Sequence, residues 1–262
     1  MFDVLVIGAG HAGIEAAAAA ARMGAQTCLV TMSLDRAGSM PCNPSVGGPA
    51  KGIVVREIDA MGGLMPRAAD ETALQFKMLN TSKGPGVQCL RVQSDKLAYS
   101  RWMKEHLKSM EHLTVVENRV ESLDIEDGVV RGAICRDGTR LCARTVVVTA
   151  GTYMQSVVLK GHTAVESGPD GQPASQGLSE SLQQAGLRTF RLKTGTPPRV
   201  KADTVDLSRG QVQPGSADFL HFSEDTRRED VLAPEKQETC TLIWTQPETH
   251  RIIREHLADS AM

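Results

Sequence analysis

Residues 2–31, FDVLVIGAGHAGIEAAAAAARMGAQTCLVT, decide the fold. Val4 to Ile7 form a short apolar run that suits a buried strand. Gly8-Ala9-Gly10-His11-Ala12-Gly13 follows as a complete G-x-G-x-x-G. An alanine-rich helical stretch runs to Met23, and Gly24 ends it as a left-handed cap would. Gln26 to Val30 then read as a second buried strand. Strand, glycine turn, helix and strand in that order are what make the glycine pattern informative. Gly8 permits the tight turn, Gly10 lets a pyrophosphate approach the backbone, and Gly13 lets the helix lie close on the sheet. The helix tip offers unpaired N–H groups and partial positive charge to phosphate. The Ala16–Ala21 run keeps that helix thin. One element of the usual pattern is missing. Thr31 stands where an Asp or Glu normally closes the second strand to bind a ribose, and the next acid is Asp35.

Composition narrows the function classes. A chain of 262 residues with 41% hydrophobic content holds one large or two modest domains with a core. A net charge of −2 gives no global basic footprint of a nucleic-acid binder, although a local patch remains compatible with it. Aromatic content of 3% argues against a stacking platform for single-stranded bases. Cys28, Cys42, Cys89, Cys135, Cys142 and Cys240 are scattered, with no C-x-x-C and no disulfide-scaffold density. A reducing, cytoplasmic setting is expected. The N-terminus reads straight into the first strand, so no signal peptide is expected. No apolar run nears the roughly 18 residues of a membrane span. No His/Cys cluster has metal-ligand spacing, so no metal site is expected.

Residues 32–52 are rich in proline and glycine and read as a long loop carrying Cys42 and Lys51. Ile53 to Met61 has helical spacing, with Ile53, Val54, Ile58 and Met61 on one face. Residues 66–93 read as a second glycine- and cation-bearing loop. Ser94 is expected to cap a helix whose Leu97, Trp102 and Leu107 face inward. Over 113–149 the period changes to alternation, with tight turns at Asp127-Gly128 and Asp137-Gly138. A small antiparallel meander, about 113–144, is expected to feed a buried strand at Thr145–Thr149. A further helix is expected over 175–188, a rigid turn and domain boundary at Lys193–Arg199, and a strand at Thr239–Thr245. Thr245-Gln-Pro-Glu248 fits a capping box for a helix running to Leu257. A mononucleotide unit, a meander and a strand ending in Thr-Ala-Gly is the order found in two-dinucleotide flavoproteins. The expected fold class is α/β: a two-dinucleotide-binding-type, Rossmann-like domain over 1–195, with a second, inserted domain begun over 196–262.

Four segments carry a family resemblance: Gly8-Ala-Gly-His-Ala-Gly-Ile-Glu-Ala16, Cys42-Asn-Pro-Ser-Val-Gly-Gly-Pro-Ala-Lys-Gly52, Ser82-Lys-Gly-Pro85 and Leu192-Lys-Thr-Gly-Thr-Pro-Pro-Arg199. They resemble the MnmG (GidA) family of FAD-dependent tRNA uridine 5-carboxymethylaminomethyl modification enzymes. The likeness runs over essentially the whole chain. The His-Ala-Gly-x-Glu-Ala form separates it from the related folate-dependent tRNA methyltransferases. The resemblance implies that FAD binds at Gly8, Ala9, Gly10, His11, Ala12 and Gly13, with further contacts at Val120 and Ser175. It implies that Cys42 is a cysteine important for activity. It implies NADH as reductant, methylenetetrahydrofolate as one-carbon donor, and tRNA with the GTPase MnmE as partners, in a homodimer within a heterotetramer. The family's later cysteine segment, NADH-contacting stretch, final flavin motif and helical C-terminal domain have no counterpart here, so the chain resembles an N-terminal piece of that family.

Each candidate residue has a plainer reading beside it. Cys42, with a cation nearby in sequence, suits a nucleophilic thiolate, and equally a buried inert thiol. His11 reads as a cofactor contact or as packing at the helix start. Glu15 orders either the helix or a neighbouring loop. Lys51, Lys83 and Arg91 suit phosphate contacts or solvated surface charge. Two rival functions stand. A general FAD/NAD(P)-dependent disulfide oxidoreductase needs a redox cysteine pair close in sequence, which is missing. A non-catalytic flavin- or tRNA-binding fragment is the other.

Overall fold

The chain begins as its opening stretch predicts. In the computed structural model, which describes residues 1–259, β1 (Phe2–Ile7), α1 (His11–Arg22) and β2 (Thr27–Thr31) follow in order. Gly24 closes α1 at φ +83°, and the Ala25 amide reaches back to the Ala20 carbonyl at 3.1 Å. The buried face of α1 is Gly13, Ile14, Ala17, Ala18 and Ala21, so small residues do bring the helix close to the sheet.

The stretch after β2 is less irregular than its glycines and prolines suggest. β3 (Ser45–Gly47) interrupts it before α2 (Lys51–Ala60) and α3 (Met65–Glu71). The expected second loop over 66–93 is confined to its centre. It is flanked by β4 (Ala73–Leu79) and β5 (Cys89–Ser94), which pair antiparallel, with β5 also pairing β3. Gly84, Pro85 and Gly86 cluster between those strands with Lys83, while Lys77 and Arg91 lie on the strands themselves. On both sides apolar residues alternate, Phe76 and Met78 against Val92 and Leu90. The expected face of α2 is also corrected. Ile53, Val54 and Met61 are exposed, and the helix buries Gly52 and Val55 instead. Gly52 sets that rotation, because a Cβ there would lie 3.1 Å from the Leu90 carbonyl. In α4 (Lys96–Ser109) the cap is Asp95, whose carboxylate accepts the Leu97 and Ala98 amides at 2.8 and 3.0 Å; Ser94 is buried. Trp102 and Leu107 face inward as expected, while Leu97, in the first turn, does not.

β6 (Leu113–Glu117), β7 (Val120–Glu126), β8 (Val129–Cys135) and β9 (Arg140–Val148) complete one six-stranded sheet, ordered β6-β2-β1-β9-β8-β7. Its first four strands are parallel and its last three antiparallel. The meander's last strand and the strand it feeds are therefore one, and the meander begins at β7: β6, at the head of the expected meander over 113–144, pairs parallel with β2 instead. β9 pairs β8 through Arg140–Cys142 and then β1 through Ala143–Val148. Its second half is only half-buried: Val147 is 37% exposed. At the Asp127-Gly128 turn both residues have positive φ, +51° and +75°, as a tight hairpin demands.

Beyond β9 come the exposed hairpin β10 (Val157–Lys160) and β11 (Thr163–Glu166), then α5 (Leu178–Gln184), shorter than the expected helix. Residues 188–201 are irregular and exposed. β12 (Gln211–Gln213) and β13 (Cys240–Leu242) pair antiparallel. The capping box of α6 (Pro247–Glu255) lies one residue later than expected, on Gln246 and Thr249. Between β12 and β13 the chain returns to β4: the Gln75 amide donates to the carbonyls of Gln213 and Glu238.

The alternation of β1 divides the core. Val6 faces α1, α4 and the small sheet, with Ile14, Leu29, Phe76, Tyr99 and Phe222. Leu5 and Ile7 face the meander and α5, with Val30, Val120 and Leu178. Each fully buried large apolar side chain contributes roughly 1.5–3 kcal/mol, so both layers hold the β1–α1 turn rigid from beneath. No helix among the described residues is long and apolar enough to cross a membrane.

Candidate functional site

A cleft of ≈ 360 Å³ opens at the carboxyl ends of β1, β2 and β9. That is where open α/β sheets bind ligands, and the volume is within the usual range of about 300–1,000 Å³ for small-molecule sites. Gly8, Ala9, Gly10, His11 and Ala12 line it, together with Val120 and Ser175. Residues from three separate parts of the sequence, all named as candidates, thus meet around one space. Gly13 lies one layer behind, buried in α1. Ser175 is held there by its hydroxyl, which donates to the Val120 carbonyl at 3.2 Å.

The glycines have three different physical roles. Gly8, at φ +103°, could bear no side chain: a Cβ would meet the Thr149 carbonyl oxygen at 2.6 Å. At Gly13 a Cβ would lie 1.7 Å from the Gly8 carbonyl oxygen. At Gly10 a Cβ would meet no protein atom within 4 Å. Gly8 and Gly13 therefore serve the protein's own close packing, whereas Gly10 faces open space in the cleft. Thr149 locks the turn, since its hydroxyl donates to the carbonyls of Ile7 and Gly8 at 2.8 and 3.0 Å. Gly10 caps α1 without any side-chain bond, and the first turn holds no acid. The first-turn amides are thus left for an anionic ligand.

His11 is the first residue of α1 and lines the cleft. Its ring packs against Tyr99 at 5.6 Å, and burial pushes its pKa below the usual histidine value. Glu15 turns the other way. Its carboxylate accepts the amides of Leu64 and Met65 at 2.6–3.1 Å and caps α3. The loop-ordering reading of Glu15 is the one the geometry supports.

Thr31 lines the cleft at the end of β2, and no Asp or Glu does among the described residues. The cleft instead carries Arg36, from the turn just after β2, paired with Asp170 across its mouth at 3.3 Å. Thr149, Arg36 and Tyr153 are site residues that the motif reading passes over. Thr149 ends the strand beside β1, and Tyr153 follows it; nothing in local sequence marks either as lining this turn.

Cys42 does not line the cleft, although the neighbouring Pro41 does. The thiol is exposed, and its Sγ donates to the Gly195 carbonyl at 3.1 Å. The thiol is therefore not the buried one that the plainer reading expects. Lys51 and Lys83 are exposed, and Arg91 on β5 is half-buried. The described residues contain no group of three or more His, Cys, Asp or Glu able to hold a metal.

The family profile described as "Glucose inhibited division protein A" matches residues 3–262. This chain belongs to the GidA family. Among its relatives, the tRNA uridine 5-carboxymethylaminomethyl modification enzyme MnmG of Geobacillus kaustophilus is 49% identical over 261 residues, covering 100% of this chain and 41% of the relative. The enzyme of that name from Bacillus subtilis is 50% identical with the same coverage. The form I crystal structure of Aquifex aeolicus GidA superposes with a TM-score of 0.93 at 43% identity, over 99% of this chain and 44% of that one. The chain thus spans about two-fifths of the length of the curated GidA relatives it matches.

Proposed function

We propose that this chain is the flavin-binding portion of an enzyme that, with the GTPase MnmE, adds a carboxymethylaminomethyl or aminomethyl group to C5 of the wobble uridine in tRNA. The observation that carries the reading is the uncapped tip of α1 behind Gly10, at the floor of a cleft, in a chain about half identical to enzymes named for that modification. The residues present fit FAD. The first-turn amides and Gly10 would hold its diphosphate, and Gly8 and Gly13 keep strand and helix close enough to form the cradle. Val120 and Ser175 line the far side, and Arg36 and Thr31 stand where a ribose-binding acid is missing. FAD, when bound, supplies the redox chemistry, with NADH as reductant. The chain itself binds and orients the cofactor and supplies Cys42. The thiolate of Cys42 would add to C6 of the uracil, and the electron density raised at C5 would bond to the methylene carbon of the folate; loss of the C5 proton then expels the thiolate and restores the C5–C6 double bond, and an amine displaces tetrahydrofolate from the new carbon. Residues 196–262 are assigned to a second, inserted domain. A homodimer within a heterotetramer with MnmE, in the cytoplasm, accords with a tRNA substrate and six free thiols.

The purified chain is expected to take up FAD weakly, seen as visible flavin absorbance, and to modify no tRNA by itself. In the full-length enzyme, Cys42→Ser is expected to abolish the modified nucleoside while flavin stays bound. A colourless protein that cannot be loaded with FAD, even with the remaining chain supplied, overturns the cofactor reading. Normal modification by Cys42→Ser removes Cys42 from the chemistry.

A further inference from the structure

The turn that follows β2 brings a cation to the cleft and turns the nearest acid away. Leu34–Arg36 form a short helical turn whose backbone is tied on three sides. The Leu34 amide donates to the Glu117 carboxylate at 2.7 Å. Just beyond, the Ser100 hydroxyl donates to the Ala37 carbonyl at 2.6 Å, and the Gly38 amide donates to the Ala9 carbonyl at 2.9 Å. The last bond joins this turn directly to the glycine turn, so the frame that places Gly10 also places Arg36. Among the described residues that line the cleft, Arg36 is the only Asp, Glu, Lys or Arg. Glu117 pairs with Thr31 across β6 and β2, but its carboxylate accepts the Leu34 amide and does not line the cleft.

In a dinucleotide cleft of this order, the residue closing the second strand reads the adenosine ribose. A carboxylate there accepts the ribose 2′-hydroxyl and repels a 2′-phosphate, whereas a nearby arginine accommodates that phosphate. Here Thr31 closes the strand without charge, and Arg36 stands in the turn just beyond it. Asp170 takes the one hydrogen bond that the Arg36 side chain makes among the described residues, at 3.3 Å from Nη1. The two side chains are 43% and 49% exposed, so solvent screens the pair and it holds Arg36 only weakly. The other N–H groups of the guanidinium are left for a ligand. We propose that Arg36 is the specificity-determining residue at the adenosine end of the cleft, which binds adenine nucleotides carrying a ribose 2′-phosphate more tightly than those without one. FAD remains compatible with this, because a ribose hydroxyl accepts the same N–H groups. The proposal rests on the dinucleotide reading of the cleft.

The test compares ADP-ribose with 2′-phospho-ADP-ribose by calorimetric titration of the purified chain at low salt. Both probes share the adenosine diphosphate part of FAD and differ only in the phosphate. The parent is expected to bind the 2′-phosphorylated probe about threefold or more tighter. Arg36→Ala should lose that preference, and Arg36→Lys, which keeps the charge without the planar fork, should keep part of it. Thr31→Glu should reverse it in favour of ADP-ribose, since a carboxylate at that position repels the phosphate. A parent that binds the two probes equally, or favours ADP-ribose, overturns the proposal. So does a preference that survives in Arg36→Ala, and so does a loss in that variant shared equally by both probes, which marks general loosening. An unchanged preference in Thr31→Glu places the ribose elsewhere and also overturns it. FAD uptake is measured on the same preparations. A parent that takes up FAD but does not favour the 2′-phosphate fails this proposal alone, whereas one that takes up neither FAD nor either probe fails the dinucleotide reading itself.

Discussion

Asp70 and Phe222, 152 residues apart, meet in the core, where both carboxylate oxygens of Asp70 accept the Phe222 amide at 2.8 and 3.0 Å. Asp70 also accepts the Ser223 amide and the Thr226 hydroxyl, at 2.9 and 2.8 Å. Asp70 is 1% exposed and Phe222 fully buried. The Phe222 ring lies so close to Gly47 that a Cβ there would meet it at 2.5 Å. One carboxylate thus docks the late segment onto the strand that follows Cys42.

Asp70→Ala leaves two buried amides and the half-buried Thr226 hydroxyl without this acceptor, and each unsatisfied buried group costs about 1–3 kcal/mol. A loss of roughly 3 kcal/mol or more is expected in urea unfolding. Asp70→Asn keeps the shape but turns an amide donor toward other donors, so it should recover only part of the loss. Limited proteolysis should cut near 221–226 first in the alanine variant. Wild-type stability in Asp70→Ala would show that the segment is held by other contacts.

Gly10 and Gly13 separate binding from folding. Gly10→Ala places its methyl group in open space at φ −76°, so stability is expected to stay within about 1 kcal/mol of the parent. FAD uptake should nevertheless fall about tenfold or more, because the methyl group holds the diphosphate off the backbone. Gly13→Ala pushes α1 off the Gly8 carbonyl and should lose both stability and flavin. Equal FAD affinity in Gly10→Ala and the parent, measured by equilibrium titration, would remove the diphosphate from this turn.

Glu15 gives a third contrast. Its carboxylate replaces a cap that α3 lacks in its own sequence, so Glu15→Ala should cost about 1–2 kcal/mol, the scale of a lost N-cap. Glu15→Gln, which keeps an acceptor oxygen, should cost less. Amide exchange would show the loss concentrated at Leu64 and Met65. Uniform exchange rates in parent and variant would return Glu15 to a role within α1.

The N-terminal unit was legible because its signals are local. A glycine turn, a thin alanine helix and two apolar runs each fix their own backbone, and the Asp-Gly hairpins do the same in the meander. The buried face of α2 was not legible. In α2 the apolar spacing of Ile53, Val54 and Met61 marks a helix but not its buried side, which Gly52 sets through its approach to Leu90. β4 and β5 were obscured because the glycine-rich loop between them dominated the reading of a longer stretch. Gly8, Gly10, Val120 and Ser175 line one cleft, with Gly13 buried a layer behind. Thr149 and Arg36 act through contacts with residues far away in sequence, and no single-sequence spacing encodes such pairs.

His11 makes the binding turn sensitive to pH. Burial places its native pKa below the ordinary value of 6.5, which the unfolded chain retains. Between those two values the unfolded state binds a proton that the native state refuses. The contribution of His11 to stability is therefore fully present above about pH 6.5, declines as the pH falls below it, and levels off beneath the native pKa. For one proton the slope is at most about 1.4 kcal/mol per pH unit. Urea unfolding at pH 7.5, 6.5 and 5.5 should show this decline in the parent and lose it in His11→Asn. A diphosphate held at this turn would stand near the imidazole and favour its charged form, so saturating flavin should flatten the decline in the parent alone. An identical slope in parent and His11→Asn would assign the acid sensitivity to other groups and leave His11 as a packing residue against Tyr99.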